Sequence, residues 1–191
     1  MNKQTAFSLV EITLTLTIII LLLAYFYHRG HSVSTTARIK NIFNDFYDVT
    51  TAIYSYQERY NALPGDVNGN NKIDGAFDSS QDGDESRLFW LHLRQAGLIR
   101  GDSNSQQQPT HVFGGLIGVA TRISTGKKQG IAGLFVGFSK IPRKIVVMIE
   151  TQADDGYPNT GSIQAHRLVA GQTILIQDYS ETGLYNVYFA L

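Results

Sequence analysis

Residues 6–27, from Ala6 to Tyr27, read A-F-S-L-V-E-I-T-L-T-L-T-I-I-I-L-L-L-A-Y-F-Y and hold a single charged side chain, Glu11. An apolar helix of about 20 residues, rising about 1.5 Å per residue, crosses the roughly 30 Å hydrocarbon core of a bilayer. The stretch has that length. A carboxylate inside it costs about 2.5–3.5 kcal/mol on the insertion scale, so Glu11 needs compensation. Two readings stand: Glu11 lies near the end of an ordinary signal-anchor and snorkels into the headgroups, or it has a dedicated partner. A cleaved secretory signal fits poorly, because residues 21–30 (L-L-L-A-Y-F-Y-H-R-G) lack a small-x-small site where the apolar core ends.

The 191 residues suffice for one membrane helix and one modest domain with its own core. Sixteen basic and sixteen acidic residues give zero formal net charge, so no global field favours nucleic acid or an anionic surface. With no cysteine, stability must come from packing, hydrogen bonds or bound ions. Lys3 precedes the apolar run while Arg29, Arg38 and Lys40 follow it, so charge alone does not place the C-terminal domain outside the cytoplasm.

From Ala37 to Tyr60 the residues Ile39, Ile42, Phe43, Phe46, Val49, Ile53, Tyr56 and Tyr60 recur every three or four positions, which predicts an amphipathic helix. Gly30 to Thr36 (G-H-S-V-S-T-T) is poor in helix formers and predicts a kink or melted turn, or a plain linker. Leu63-Pro64-Gly65 is expected to end the helix. From Asp84 an N-cap, early acids, later basic residues and Gly97 predict a short helix burying Leu88, Phe89 or Trp90, Leu93 and Leu98. Segments 112–123, 131–138, 167–176 and 185–191 are dense in β-branched and aromatic residues, so the fold class is α+β: an antiparallel sheet packed on the amphipathic helix. Lys127-Lys128 reads as a hairpin tip. Residues 142–152 (P-R-K-I-V-V-M-I-E-T-Q) fit a strand by composition and a helix by their leading proline.

Residues 66–85 (D-V-N-G-N-N-K-I-D-G-A-F-D-S-S-Q-D-G-D-E) are the most chemically loaded. Asp66, Asn68, Asn70, the Lys72 carbonyl and Asp74 follow the 1, 3, 5, 7, 9 spacing of an EF-hand-type calcium loop, with Ile73 packed inward. Two positions depart from that pattern. Asn71 replaces the sixth-position Gly, although Asn tolerates positive φ, and Phe77 stands where the bidentate Glu belongs. Asp78, or Asp82, Asp84 and Glu85, are the alternative closing ligands. The competing reading is a solvated Asx-rich loop without an ion; mutual repulsion of so many carboxylates favours calcium. Asp154 and Asp155 form a second acidic turn, which either caps itself or completes the first site.

No motif assembles a catalytic centre. There is no Cys nucleophile, G-x-S-x-G elbow, H-E-x-x-H pair or phosphate-binding loop, and His28, His31, His92, His111 and His166 lack metal-ligand spacing. A non-enzymatic protein is expected.

Three stretches resemble a known family. Ala6-Phe7-Ser8-Leu9-Val10-Glu11 has a small residue, then Phe, then Glu at the fifth place counted from Phe, and resembles the processing site of type IV pilins and type II secretion pseudopilins; Gly is usual where this chain has Ala6. L-P-G-D at 63–66 with E-S-x-L-F-W-x-H-L-x-x-A-G-L-I at 85–99, and A-D-D-G-Y-P-N-T-G at 153–161, resemble a bacterial subgroup of prepilin-type, pseudopilin-like proteins. The resemblance implies a leader, 1–6, removed by prepilin peptidase, with N-methylation of Phe7. It also implies a transmembrane and filament-core helix over 7–29, an amphipathic second half over 30–64, and a globular head over 65–191. The new Phe7 ammonium of one subunit then pairs with Glu11 of the next, a head-to-tail contact that propagates a filament.

Implied partners are other pilin or pseudopilin subunits, the peptidase and an inner-membrane assembly platform, with no nucleic acid. The implied location is the bacterial inner membrane, single-pass with a periplasmic head, then a periplasmic or extracellular filament. The alternative function is a membrane-anchored, calcium-dependent adhesion domain that does not polymerise.

Overall fold

Helix α1 (Leu9–Tyr60) begins with a run of exposed apolar side chains. The structure, a computed structural model, describes residues 8–122, 131 and 133–191. Leu9–Phe26 has a mean hydropathy of 2.4, none of it is buried, and by length and composition it can cross a membrane. Its threonines do not leave hydroxyls stranded: those of Thr13, Thr15 and Thr17 donate to the carbonyls of Val10, Ile12 and Thr13 at 2.7–2.9 Å. Such back-bonding satisfies polar groups within one helix, as an apolar surrounding requires. The melted turn expected at 30–36 is absent, since α1 is helical through it. Propagating an existing helix through weak formers costs tenths of a kcal/mol per residue, roughly, and about 1 for the glycine.

The chain divides after Arg38, and the second unit, Ile39–Leu191, holds the core. Within it Ile39, Ile42, Val49 and Ile53 are buried and Phe43, Phe46 and Tyr56 half-buried, as the spacing predicts, whereas Tyr60, the last member of the expected stripe and the last residue of α1, is exposed. Each fully buried side chain of this size contributes about 1.5–3 kcal/mol. The helix stops at Asn61, in left-handed conformation with φ 51°, ahead of the expected Leu63-Pro64-Gly65. Asn tolerates that conformation better than most residues. Leu63 is buried instead.

Helix α2 (Glu85–Gln95) buries Phe89, Trp90 and Leu93 and leaves Leu88 half-exposed. It ends as Gly97 takes φ 69° and the Leu98 amide reaches back to the Leu93 carbonyl at 3.0 Å. Helix α3 (Arg143–Ala153) settles the ambiguous segment. Pro142 opens it at φ −63°, and Ile145, Val146, Ile149 and Glu150 share one buried face. Packing overrides the β-branched composition.

The strands are β1 (Ile117–Ala120), β2 (Phe135–Pro142), β3 (Ile163–Val169), β4 (Gln172–Leu175) and β5 (Leu184–Ala190), all antiparallel, in the order β1-β2-β5-β3-β4. The expected α+β architecture is present. Two segments are shorter than expected: 112–123 yields only β1 among the described residues, and 167–176 is a hairpin turned at Ala170-Gly171, φ 49° and 79°. Lys127-Lys128 lies outside the described residues.

Alternation along the strands gives the sheet two covered faces. Val136, Phe138, Val187 and Phe189 join the main core, where Phe43 and Phe46 bring their rings 5.9 and 5.2 Å from Phe189. Phe135, Tyr188 and Ala120 face the other way and enclose Phe77. Room for Phe77 is made by Gly137, where a Cβ would stand 2.4 Å from its ring. The residue occupying the calcium-loop position of a bidentate Glu is therefore a core plug.

Candidate functional site

The loop 66–85 is organised by its own acids. Asp66 accepts the amides of Gly69, Asn70 and Asn71 at 2.7–3.2 Å, while Asn68 and Asn70 accept those of Asn70 and Lys72 at 3.0 and 2.8 Å. Asn71 takes φ 57°, the conformation required at the glycine position. Ile73 is fully buried and ties the loop to the end of β1, its amide donating to Thr121 Oγ1 at 2.8 Å and its carbonyl accepting the Thr121 amide at 2.9 Å. Glu85, the first residue of α2, reaches back into the loop. Its Oε1 accepts the Val67 amide and Asn68 Nδ2 at 3.3 and 2.9 Å, and its Oε2 accepts the Asp74 amide at 2.8 Å.

The remaining acids are engaged elsewhere. Asp82 pairs with Arg87 at 2.8 Å, Asp84 stands at the N-cap position of α2 but its carboxylate accepts the Ser79 hydroxyl and no helix amide, and burial raises the Asp78 carboxyl above the ordinary range. Two motifs of the resemblance meet here. Gly65, at φ 88°, lies so close to α2 that a Cβ would come 2.5 Å from the Glu85 carbonyl, and its amide donates to His92 Nδ1 at 3.0 Å. His92 is thus an acceptor in a structural clamp. Burial lowers its basicity.

Among the described residues, one group of three acids converges within 4.8 Å, and it lies in neither half of 66–85: Glu150, Asp154 and Asp155. The second acidic turn converges with a helix residue that sequence reading passed over. Glu150 is fully buried, its Oε1 accepting the Tyr179 hydroxyl at 2.7 Å and its Oε2 without a partner. Burial, offset in part by Tyr179 and reinforced by Asp154 and Asp155, lifts Glu150 to about 7. Asp154 accepts the Ile163 amide at 2.5 Å, and Asp155 accepts the Tyr157 amide at 2.9 Å and the Thr160 hydroxyl at 2.5 Å. Those bonds explain the D-D-G-Y-P-N-T-G pattern as a turn that feeds β3. The i, i+4 relation of Glu150 to Asp154 was the one local signal for the cluster.

Glu11 forms no ion pair among the described residues, and Ala6 and Phe7 lie outside them. No family model and no curated protein matches the chain. Among solved structures the chain is similar to the major type IV pilin PilA1 from Clostridium difficile, with 11% identity, a TM-score of 0.43, and coverage of 83% of this chain and 96% of that one.

Proposed function

We propose that the chain is a non-enzymatic pilin-like subunit, pilin or pseudopilin, that anchors in the inner membrane by the start of α1 and polymerises into a type IV pilus or a secretion pseudopilus. The observation that carries this reading is α1 itself. Its first part, Leu9–Phe26, is apolar and wholly exposed with Glu11 as its one acid, and the same helix later supplies Ile39, Ile42, Val49 and Ile53 to the core of the head. An uncovered apolar helix of this length needs lipid or other copies of itself. Cleavage by prepilin peptidase between Ala6 and Phe7 frees an ammonium that neutralises Glu11 of the adjacent subunit, which turns a cost in the lone helix into a register mark.

Glu11→Ala tests this directly. The variant should insert in the membrane at the wild-type level and fail to enter filaments. Unchanged assembly would overturn the reading and favour the anchored adhesion domain. Intact mass of the native protein should match a methylated chain beginning at Phe7.

Within this reading calcium occupies 66–85, held by Asp66, Asn68, Asn70, the Lys72 carbonyl and Asp74, while Glu85 braces the loop from α2 through its hydrogen bonds to Val67, Asn68 and Asp74. The donor set fits a hard cation, all oxygen, with Asn71 in the required backbone conformation. When bound, the ion neutralises the loop's acids and stiffens it against α2.

A further inference from the structure

The geometry points to a separate calcium site at the C-terminal end of α3, formed by Glu150, Asp154 and Asp155, which staples that helix to the turn leading into β3. One carboxylate oxygen from each residue lies within 4.8 Å of the other two. Oxygens on opposite sides of a calcium ion stand about 5 Å apart, twice the ligand distance, so the three fit one coordination shell. The buried member has a vacant oxygen. Glu150 is fully enclosed, yet its Oε2 has no hydrogen-bond partner, and a buried carboxylate oxygen left in that state is costly.

Among the described residues no ion pair reaches these three carboxylates; the two pairs there are Arg87 with Asp82 and Arg167 with Glu181. The last turn of α3 carries no basic residue, so the negative end of its dipole also points at the site uncompensated. An all-oxygen donor set selects a hard cation over zinc or copper, and exposed Asp155 leaves an open side for the waters that complete a flexible shell of six to eight. The site shares no residue with 66–85, and it does not depend on polymerisation.

Calcium chloride titrated calorimetrically into the metal-stripped full chain in detergent tests the site, with Glu150→Gln, Asp155→Asn and Asp66→Asn run in parallel. The expected result is a binding event that survives Asp66→Asn and weakens by about tenfold or more in both Glu150→Gln and Asp155→Asn. Exposed Asp155 and buried Glu150 test the site independently, and circular dichroism verifies that each variant keeps the fold. Absence of binding to the wild type, binding unchanged by either of the two variants, or binding lost only in Asp66→Asn would each overturn the site. The last of these would leave the loop site standing.

Discussion

Residues 66–85 and residues 150–161 are both rich in acids, yet they place their oxygens differently. In the first region Asp66 accepts three backbone amides, Glu85 accepts two backbone amides and the Asn68 side chain, and Asp82 has Arg87. In the second, Asp154 and Asp155 hold the turn while buried Glu150 keeps one oxygen unpartnered. A loop in which acids receive backbone donors is pre-shaped whether or not an ion is present; a cluster with an orphan oxygen is incomplete on its own. Counting acids does not separate the two. Following each oxygen to its donor does.

The largest expected effect separates the two regions by what removal of an acid does. Glu85→Ala strips three donors of their acceptor at a buried position and should cost about 3 kcal/mol in denaturant unfolding, with the loss concentrated at the junction of loop and α2. A cost below about 1 kcal/mol would mean that water replaces the carboxylate freely and that the loop is not held by α2.

Acidification comes next, and it acts on β3, which the second region feeds. His166 is buried against Tyr188, ring centroids 5.0 Å apart, with Nδ1 unpartnered, and burial pushes it from 6.5 down to about 4. Its folded value is depressed, so the unfolded chain binds the extra proton first. The His166 contribution is therefore full above about 6.5 and is lost as pH falls toward about 4, by about 3 kcal/mol, while buried Glu150, raised to about 7, takes up its proton over an overlapping range and works in the opposite direction. His166→Phe keeps the ring packing and cannot protonate, so the variant should gain stability relative to the wild type as pH falls from about 6.5 toward about 4. A wild-type-minus-variant difference that does not change with pH would assign the effect to another group.

The sign of a third substitution sharpens the contrast. In chelator at pH 8, Glu150→Gln removes a buried, under-partnered charge and should raise stability by about 1 kcal/mol, whereas Glu85→Gln should lower it by a similar amount. In millimolar calcium the gain at Glu150 should vanish or reverse, because the wild type then has a ligand to lose. Chelator should likewise lower the melting temperature of the wild type. Equal signs for both substitutions in chelator would erase the distinction between the regions.

What could be read from the chain follows the range of the forces involved. The apolar run and the stripe from Ile39 to Tyr56 were legible because one helix's own periodicity encodes them, and α2 because cap, charge order and Gly97 lie within fourteen residues. Residues 142–152 stayed open because Ile145, Val146 and Ile149 suit either state until the sheet selects one face. Phe77 was read as a defect in a calcium loop, since nothing local says that Gly118 and Gly137 have cleared a pocket for it across the sheet. Glu150 was missed for the same reason. Its significance depends on Tyr179 and on a turn whose closure the intervening residues do not announce.

The smallest expected effect compares two glycines with the same backbone need. Gly69 and Gly161 both hold positive φ, 74° and 77°, so alanine at either costs about 1 kcal/mol in strain. Around Gly69 nothing lies within 4 Å of an added Cβ, so Gly69→Ala should cost that strain and no more. At Gly161 the methyl would come 2.2 Å from Asp154 Oδ2, which can move only by giving up the Ile163 amide at the start of β3. Gly161→Ala should therefore cost about 1 kcal/mol beyond Gly69→Ala in thermal unfolding. The excess should shrink in Asp154→Ala, where the obstructing carboxylate is gone, because coupled neighbours do not add. Equal costs for the two glycines would mean that the 153–161 turn yields as readily as the open loop.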